Sequence, residues 1–293
     1  MAELVVRRPP PRFPLGGLGA TWARLRTNKV TLAGLIIVLA VALLALLAPV
    51  IAPYGATEGQ AGPPLSGPSW SHPFGTDSIG FDIFSRVLFA ARLDLVIAFG
   101  AVGIALVVGS LLGALAGYLG RIADEVIMRL LDMLSAFPSF ILAMGVIAAL
   151  GPSLTNLIAA IALINVPVYA RLLRSRVLSV KQSPFVMAAS GVGSSRLRIL
   201  FVHVLPNSVS PIFVQSTLQA GWAILEAAGL SFIGLGVRVP TAEWGVMINM
   251  GLQFVVSGEW WIAFFPGMAI AITVMGFNLI GDGLQDILDP RRK

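Results

Sequence analysis

The chain contains no cysteine, so disulfides and thiol chemistry are excluded, and the redox compartment is left undecided. Charge is scarce as well. Asp, Glu, Lys and Arg together make up 12 % of 293 residues, less than the solvated surface of a soluble protein this long requires. Histidine occurs twice, as His72 and His203, and the expected spans set the two on opposite sides of a membrane, where they cannot share a metal. Three patterns of hydrolytic chemistry are missing: G-x-S-x-G, H-E-x-x-H and G-x-x-x-x-G-K-[ST]. Without the last of these, ATP hydrolysis has no seat in this chain. No metal or cofactor is expected on it.

Apolar residues, by contrast, make up 57 % of the chain, and the mean hydropathy is +0.88. This is more than a soluble core can hide, and it defines an all-α integral membrane protein, because lipid offers no partner to an unpaired backbone amide. Residues 31–51 and 95–119 are uncharged runs long enough to cross about 30 Å of hydrocarbon. Residues 133–170 are too long for one crossing, and Gly151-Pro152 divides them into two short spans. A fifth run begins after Pro206 and is interrupted by Glu226, and residues 260–281 form a sixth. The pattern predicts six transmembrane helices. The basic leader of the first run is too long, and the run itself too wide, for a cleaved signal peptide, which makes it a retained span.

Lys and Arg set the orientation. With the N-terminus inside, 17 of the 20 fall on inner segments, and only Arg86, Arg92 and Arg238 lie outside. Both termini are therefore expected in the cytoplasm. The net charge of +6 is then topological, and without a basic patch carrying interleaved aromatics no nucleic-acid partner is expected.

Residues 1–30 read as a Pro/Gly-rich cytoplasmic tail and then an interfacial helix, "TWARLRTNK", with Trp22 at headgroup level. Residues 31–293 form the membrane domain, with a long external loop at 52–91, a cytoplasmic loop at 171–206 and an external segment at 236–260. Gly109, Gly113 and Gly117 recur every four residues, which suits close helix packing or, alternatively, a gating hinge. In "RIADEVIMRLLDMLSAFP", Glu125–Arg129 and Arg129–Asp132 are spaced to pair on one helix face, and Pro138 should bend the helix just inside the membrane.

The best-defined local element is "SPFVMAASGVGSSRLRILFVHVLPN" (183–207). Ser183 is placed to cap a helix, and Pro184 suits its first position. Phe185, Ala188, Ala189 and Val192 give an apolar stripe two turns long, and Gly191 and Gly193 stop it. Ser194 or Ser195 can start another helix with Leu197, Leu200, Phe201 and Val204 on one side, and Arg196 and Arg198 on the other. The element is either a passive interfacial linker or a rigid knob that docks into a groove on a soluble partner.

Glu226 lies within the fifth span, where a carboxylate costs about 2–3 kcal/mol unless it faces a cavity or a partner. It is a candidate for lining a pathway, with protonation or a structural bond to backbone and Trp222 as the alternatives. Asn249 and Gln253 join it as polar residues on an apolar external segment, "WGVMINMGLQFVVSGEWW", that reads as an interfacial helix.

Several motifs in order carry a family resemblance. "HPFGTDSIGFDIFSRVLFAARLDL" is similar to an external H-x-x-G-T-D-x-x-G-R-D-x-x-S-R pattern. "DEVIMRLLDMLSAFPSF" comes next, and the 183–207 element resembles a cytoplasmic E-A-A-x-x-x-G motif through Ala188, Ala189 and Gly193. "EAAGLSFIGLGVRVPTAEWGVMI" and "FPGMAIAITVMGFNLIGDGLQDILDPR" complete the set. Together they resemble the second permease subunit of bacterial dipeptide/oligopeptide ABC importers, the peptide/nickel group of binding-protein-dependent permeases. Two positions depart from the pattern: Met187 stands where the family has glutamate, and Phe81 where it has arginine.

The resemblance implies a type I ABC importer permease fold in the cytoplasmic membrane. It also makes the 183–207 element a coupling helix seated in a cleft of an ATPase subunit, with Ser183, Pro184, Phe185, Met187, Ala188, Ala189, Gly193, Arg196 and Arg198 at that contact. The implied partners are a homologous second permease, two ATPases that bind ATP and Mg, an external substrate-binding protein and membrane lipid. Peptides are the implied substrates, with nickel chelates or glutathione as the alternative. An ion channel calls for a ring of like charges, and an intramembrane enzyme for paired reactive residues within spans; neither pattern occurs.

Overall fold

The computed structural model describes residues 28–288. The N-terminal tail, the segment around Trp22 expected to form an interfacial helix, and the basic C-terminal residues lie outside that range. Among the described residues the chain is helical, with one isolated bridge, Thr76 to Asp82, and no named strand.

Helix α1 (Lys29–Ile51) starts where the Asn28 side chain accepts hydrogen bonds from Val30 N and Thr31 N at 3.0 and 3.3 Å. Its 23 residues reach about 35 Å, enough to cross a bilayer. Leu39, Leu43, Leu46 and Val50 are exposed on it, as a lipid-facing side requires.

Helix α2 (Ile83–Leu119) has 37 residues, starting 12 positions before the apolar run that announces it. Asp82 caps it, accepting from Ser85 N at 2.8 Å. Of the three charged residues that precede the apolar run within α2, Arg86 and Asp94 are buried inside the protein and Arg92 is exposed, so hydropathy alone misplaces this boundary. The external loop expected over 52–91 consequently ends at Asp82. That loop is ordered by Thr76 N to Ser66 O at 2.9 Å, Thr76 Oγ1 to Pro63 O at 2.6 Å and His72 Nδ1 to Asp82 Oδ1 at 2.9 Å. Phe81, at the departure from the family pattern, is buried with the Arg86 guanidinium 4.5 Å above its ring, a cation–π contact.

Helices α3 (Arg121–Ser135) and α4 (Ser139–Leu150) meet at 87° across a break ending in Pro138. The expected bend is therefore a complete interruption. With 12 residues, α4 reaches about 18 Å and does not span by itself. Helix α5 (Leu154–Lys181) runs past the end of the apolar stretch at Ala170, because its basic residues find partners on α3. Helix α6 (Pro184–Gly191) is short; α7 (Arg196–Ser208), π-helical over Ile199–Val204, meets α8 (Ser210–Phe232) at 53°. Helices α9 (Trp244–Val255) and α10 (Trp261–Leu288) complete the described fold.

Among the described residues four helices, α1, α2, α5 and α10, are long and apolar enough to cross a membrane alone. The count reaches six when α3–α4 and α7–α8 each serve as one bent span. The helices associate by close packing, since lipid is as apolar as leucine and supplies no hydrophobic drive between them. The most extensive seam joins α2 to α5. A Cβ at Gly109 would lie 2.6 Å from Val166 O, and one at Gly117 3.0 Å from Arg174 O, with Gly113 set directly on the Ala170 backbone. A second seam sets Gly34 of α1 on the α10 backbone at Gly276.

Candidate functional site

At the C-terminal end of α2, residues 183–198 form a mounted tip. Pro184 occupies the first turn of α6, where its missing N–H costs nothing. The Ser183 hydroxyl does not cap the helix: it donates to Val180 O at 2.6 Å, and so fastens the turn to α5 instead. Gly193 takes φ +81°, a left-handed conformation that only glycine adopts freely, and Ser194 N bonds back to Ala189 O at 3.1 Å. Ser195 starts the next helix, accepting from Arg198 N at 3.4 Å.

The tip is braced from below. Tyr118 OH donates to Arg196 O at 2.7 Å, and Lys181 Nζ donates to Tyr118 O at 2.7 Å. Only Val186 of α6 is buried in the bundle. The stripe read from the sequence therefore faces outward. Phe185 is 45 % exposed, Met187 59 %, Val192 83 % and Leu197 68 %, with Ala188 and both Arg196 and Arg198 exposed and Ala189 half-buried. Leu197, Leu200, Phe201 and Val204 do not share one side. Ile199, Leu200 and Val204 turn inward while Phe201 is exposed, because the wider π-turn shifts the register from i+4 to i+5.

Helix α3 is strapped to α5 beside this tip. Arg174 holds Asp124 through two hydrogen bonds, one of them Nη2 to Oδ2 at 2.6 Å. Glu125 and Arg129 pair at 3.6 Å as their spacing predicts, but Asp132 turns to Arg171 of α5 at 3.4 Å rather than to Arg129.

Between α5 and α8 runs a line of polar side chains. Asn165 Nδ2 donates to Glu226 Oε2 at 3.0 Å and to Ile161 O at 2.9 Å. Gln219 Nε2 donates to Asn165 Oδ1, and Gln215 approaches Gln219 Oε1 at 3.4 Å. Glu226 thus bonds to a side chain on another helix, not to Trp222. Asn165 carries no charge and sits in an apolar run, so nothing local in the sequence marks it. Asn249 and Gln253 are both exposed on α9 and share no hydrogen bond with this line; Asn249 Nδ2 donates to Phe232 O at 2.6 Å, tying α9 to the end of α8.

At the opposite end of α2 lies a buried acidic pair that the sequence motifs do not single out. Glu243 caps α9, accepting from Gly245 N and Val246 N at 3.0 and 2.9 Å. Asp94 on α2, buried as well, accepts Trp244 N at 3.2 Å through Oδ2, while among the described residues its Oδ1 has no hydrogen-bond partner. Asp94 interrupts an apolar helix as Glu226 does, and that interruption was the available signal.

An all-helical bundle with broken spans and a braced, exposed apolar tip is the architecture of an ABC transporter's membrane subunit. The chain shares this fold with a solved amino acid ABC transporter determined with histidines, at a TM-score of 0.56 and 15 % identity over 70 % of this chain and 95 % of that one. Residues 109–293 match the model of the binding-protein-dependent transport system inner membrane component family, and the chain belongs to that family. Residues 18–67 match the N-terminal transmembrane domain of oligopeptide transport permease C. A dipeptide transport system permease protein of Alkalihalophilus pseudofirmus is 48 % identical, over 92 % of this chain and 88 % of that protein. A probable D,D-dipeptide transport system permease protein of Escherichia coli K12 is 42 % identical, over 97 % and 95 %. A glutathione transport system permease protein of Pectobacterium atrosepticum is also 42 % identical, over 93 % and 90 %.

Proposed function

We propose that this permease carries di- and oligopeptides across the bacterial cytoplasmic membrane, with residues 31–293 as the transport domain and both termini in the cytoplasm. It pairs with a homologous second permease to line one pathway. Two separate ATPase subunits bind ATP and Mg, and an external binding protein delivers the substrate. The chain itself is not an enzyme and holds no cofactor; it converts ATPase closure into a changed balance between inward-open and outward-open states. The side-chain assignments are the docking contact at Ser183, Pro184, Phe185, Met187, Ala188, Ala189, Gly193, Arg196 and Arg198, and a pathway wall that includes Glu226, Asn249 and Gln253. Gly109, Gly113 and Gly117 serve packing.

The observation that carries this reading is the tip: an apolar surface held out from the bundle on a braced mount, with Met187 59 % and Val192 83 % exposed. A helix seated in a partner's groove requires such a surface, and a push is transmitted only by a rigid handle. Similarity to relatives named for dipeptides favours peptide over other cargo. Glutathione is the second reading, because similar relatives also carry that name. The test is purification of the tagged chain in mild detergent. Recovery of a second permease and an ATPase supports the reading, and peptide uptake by the reconstituted complex completes it. Recovery of the chain alone, under conditions that preserve a known importer, overturns it.

A further inference from the structure

One face of α8 carries Gln215, Gln219, Trp222, Glu226 and Gly229 at alternating spacings of four and three. Glu226 is half-buried in a membrane helix, and no Lys, Arg or His forms an ion pair with it among the described residues. Its Oε2 is held by Asn165, which is itself fixed by Ile161 O and Gln219. Among the described residues Oε1 receives no donor. Aromatic rings lie one turn away on both sides: Trp222, 57 % exposed, and Phe140 of α4, whose ring lies 3.0 Å from where a Gly229 Cβ would be.

We propose that Glu226 receives the ammonium group of the substrate during its passage, with Asn165 and Gln219 as positioning residues that aim the carboxylate. This rests on the peptide-importer reading and names the chemistry recognised at its pathway wall. An ammonium satisfies a carboxylate oxygen by a charge-assisted hydrogen bond and is attracted to flanking aromatic faces. The amino terminus is also the one cation that every unblocked peptide carries, whatever its side chains, and glutathione carries an ammonium too. Preset amide bonds on Oε2 leave Oε1 for the passenger at little reorganisation cost. An ammonium or guanidinium from the second permease has the same chemistry, and the test separates the two sources.

The complete complex is reconstituted in proteoliposomes with its binding protein, and uptake is measured for lysine-free and histidine-free peptides. Glu226→Gln should lower the maximal uptake rate about tenfold and leave the half-saturating concentration, which the binding protein sets, unchanged. Glu226→Asp should retain most of the rate. Asn165→Leu should lower it less than Glu226→Gln does. Glu226→Cys puts the first thiol into this subunit. An anionic methanethiosulfonate should restore uptake in that variant and an uncharged reagent of similar size should not, with the treated wild-type complex as the baseline. Wild-type uptake by Glu226→Gln overturns the proposal, as does equal restoration by the uncharged reagent. Failure of Glu226→Gln and Glu226→Asp alike to co-purify with the second permease also overturns it, and assigns Glu226 to that interface instead. Absence of any peptide uptake by the wild-type complex overturns the importer reading on which the proposal rests.

Discussion

Trp244 is held to α2 at two points: its backbone N–H reaches Asp94, and its indole Nε1 donates to Val87 O at 3.1 Å. Glu243, beside it, supplies the cap of α9 and the second carboxyl of the buried pair. Glu243→Ala removes the cap of a buried helix start and should cost about 1–2 kcal/mol, read as a lower midpoint of thermal unfolding in detergent. Glu243→Gln keeps a cap oxygen, so its midpoint should stay closer to wild type. Met187 stands 59 % exposed on α6 and contributes nothing to the bundle. Met187→Glu should therefore fold normally and still co-purify with the ATPase subunit; loss of that subunit alone would mean that the partner's cleft is matched to methionine. Single residues were legible where their chemistry clashes with their surroundings, as at Glu226. Asn165 and Gln219 were not, since their role arises only when α5 and α8 meet, 54 positions apart in the chain.

The short α6 was readable in detail because proline and glycine act locally. Pro184 fixes the start and Gly193 the exit, whatever the rest of the chain does. Which side of the helix faces the bundle was not readable, because the stripe serves a surface outside this chain, and the π-turn of α7 shifts the register of the residues after it. Gly193→Pro forbids φ +81° and should misdirect the tip, giving ATP hydrolysis without uptake while the chain still inserts. Normal coupled uptake in that variant would remove the docking role from α6. The lengths of α2 and α5 were hidden for a different reason. Their charged turns are buried or paired within the protein, at Arg86, Asp94 and Arg174, and hydropathy cannot distinguish a paired charge from a solvated one.

Across the whole molecule, the missing thiols make orientation simple to test. Ser71, in the loop before α2, and Ser190, on α6, lie toward opposite ends of that long helix, and Ser71 is exposed. A membrane-impermeant maleimide added to intact cells should label Ser71→Cys and spare Ser190→Cys, with both labelled after permeabilisation. The reverse pattern would invert the proposed topology. The bilayer crossing was legible in outline, since uncharged runs report apolar length directly. The 87° break at Pro138 was not, because proline fixes where a helix stops but not the direction taken by the next. The contact of α2 with α5, backbone on backbone at Gly113, has a consequence for the history of the chain. A side chain added there has no room until the opposing helix retreats along its whole length, so accepted change at that seam requires concerted substitutions. Neutral drift is thereby steered to the lipid-facing sides, where Leu39, Leu43 and Leu46 exchange with other aliphatics at almost no penalty, and two distant descendants should differ most where they meet only hydrocarbon.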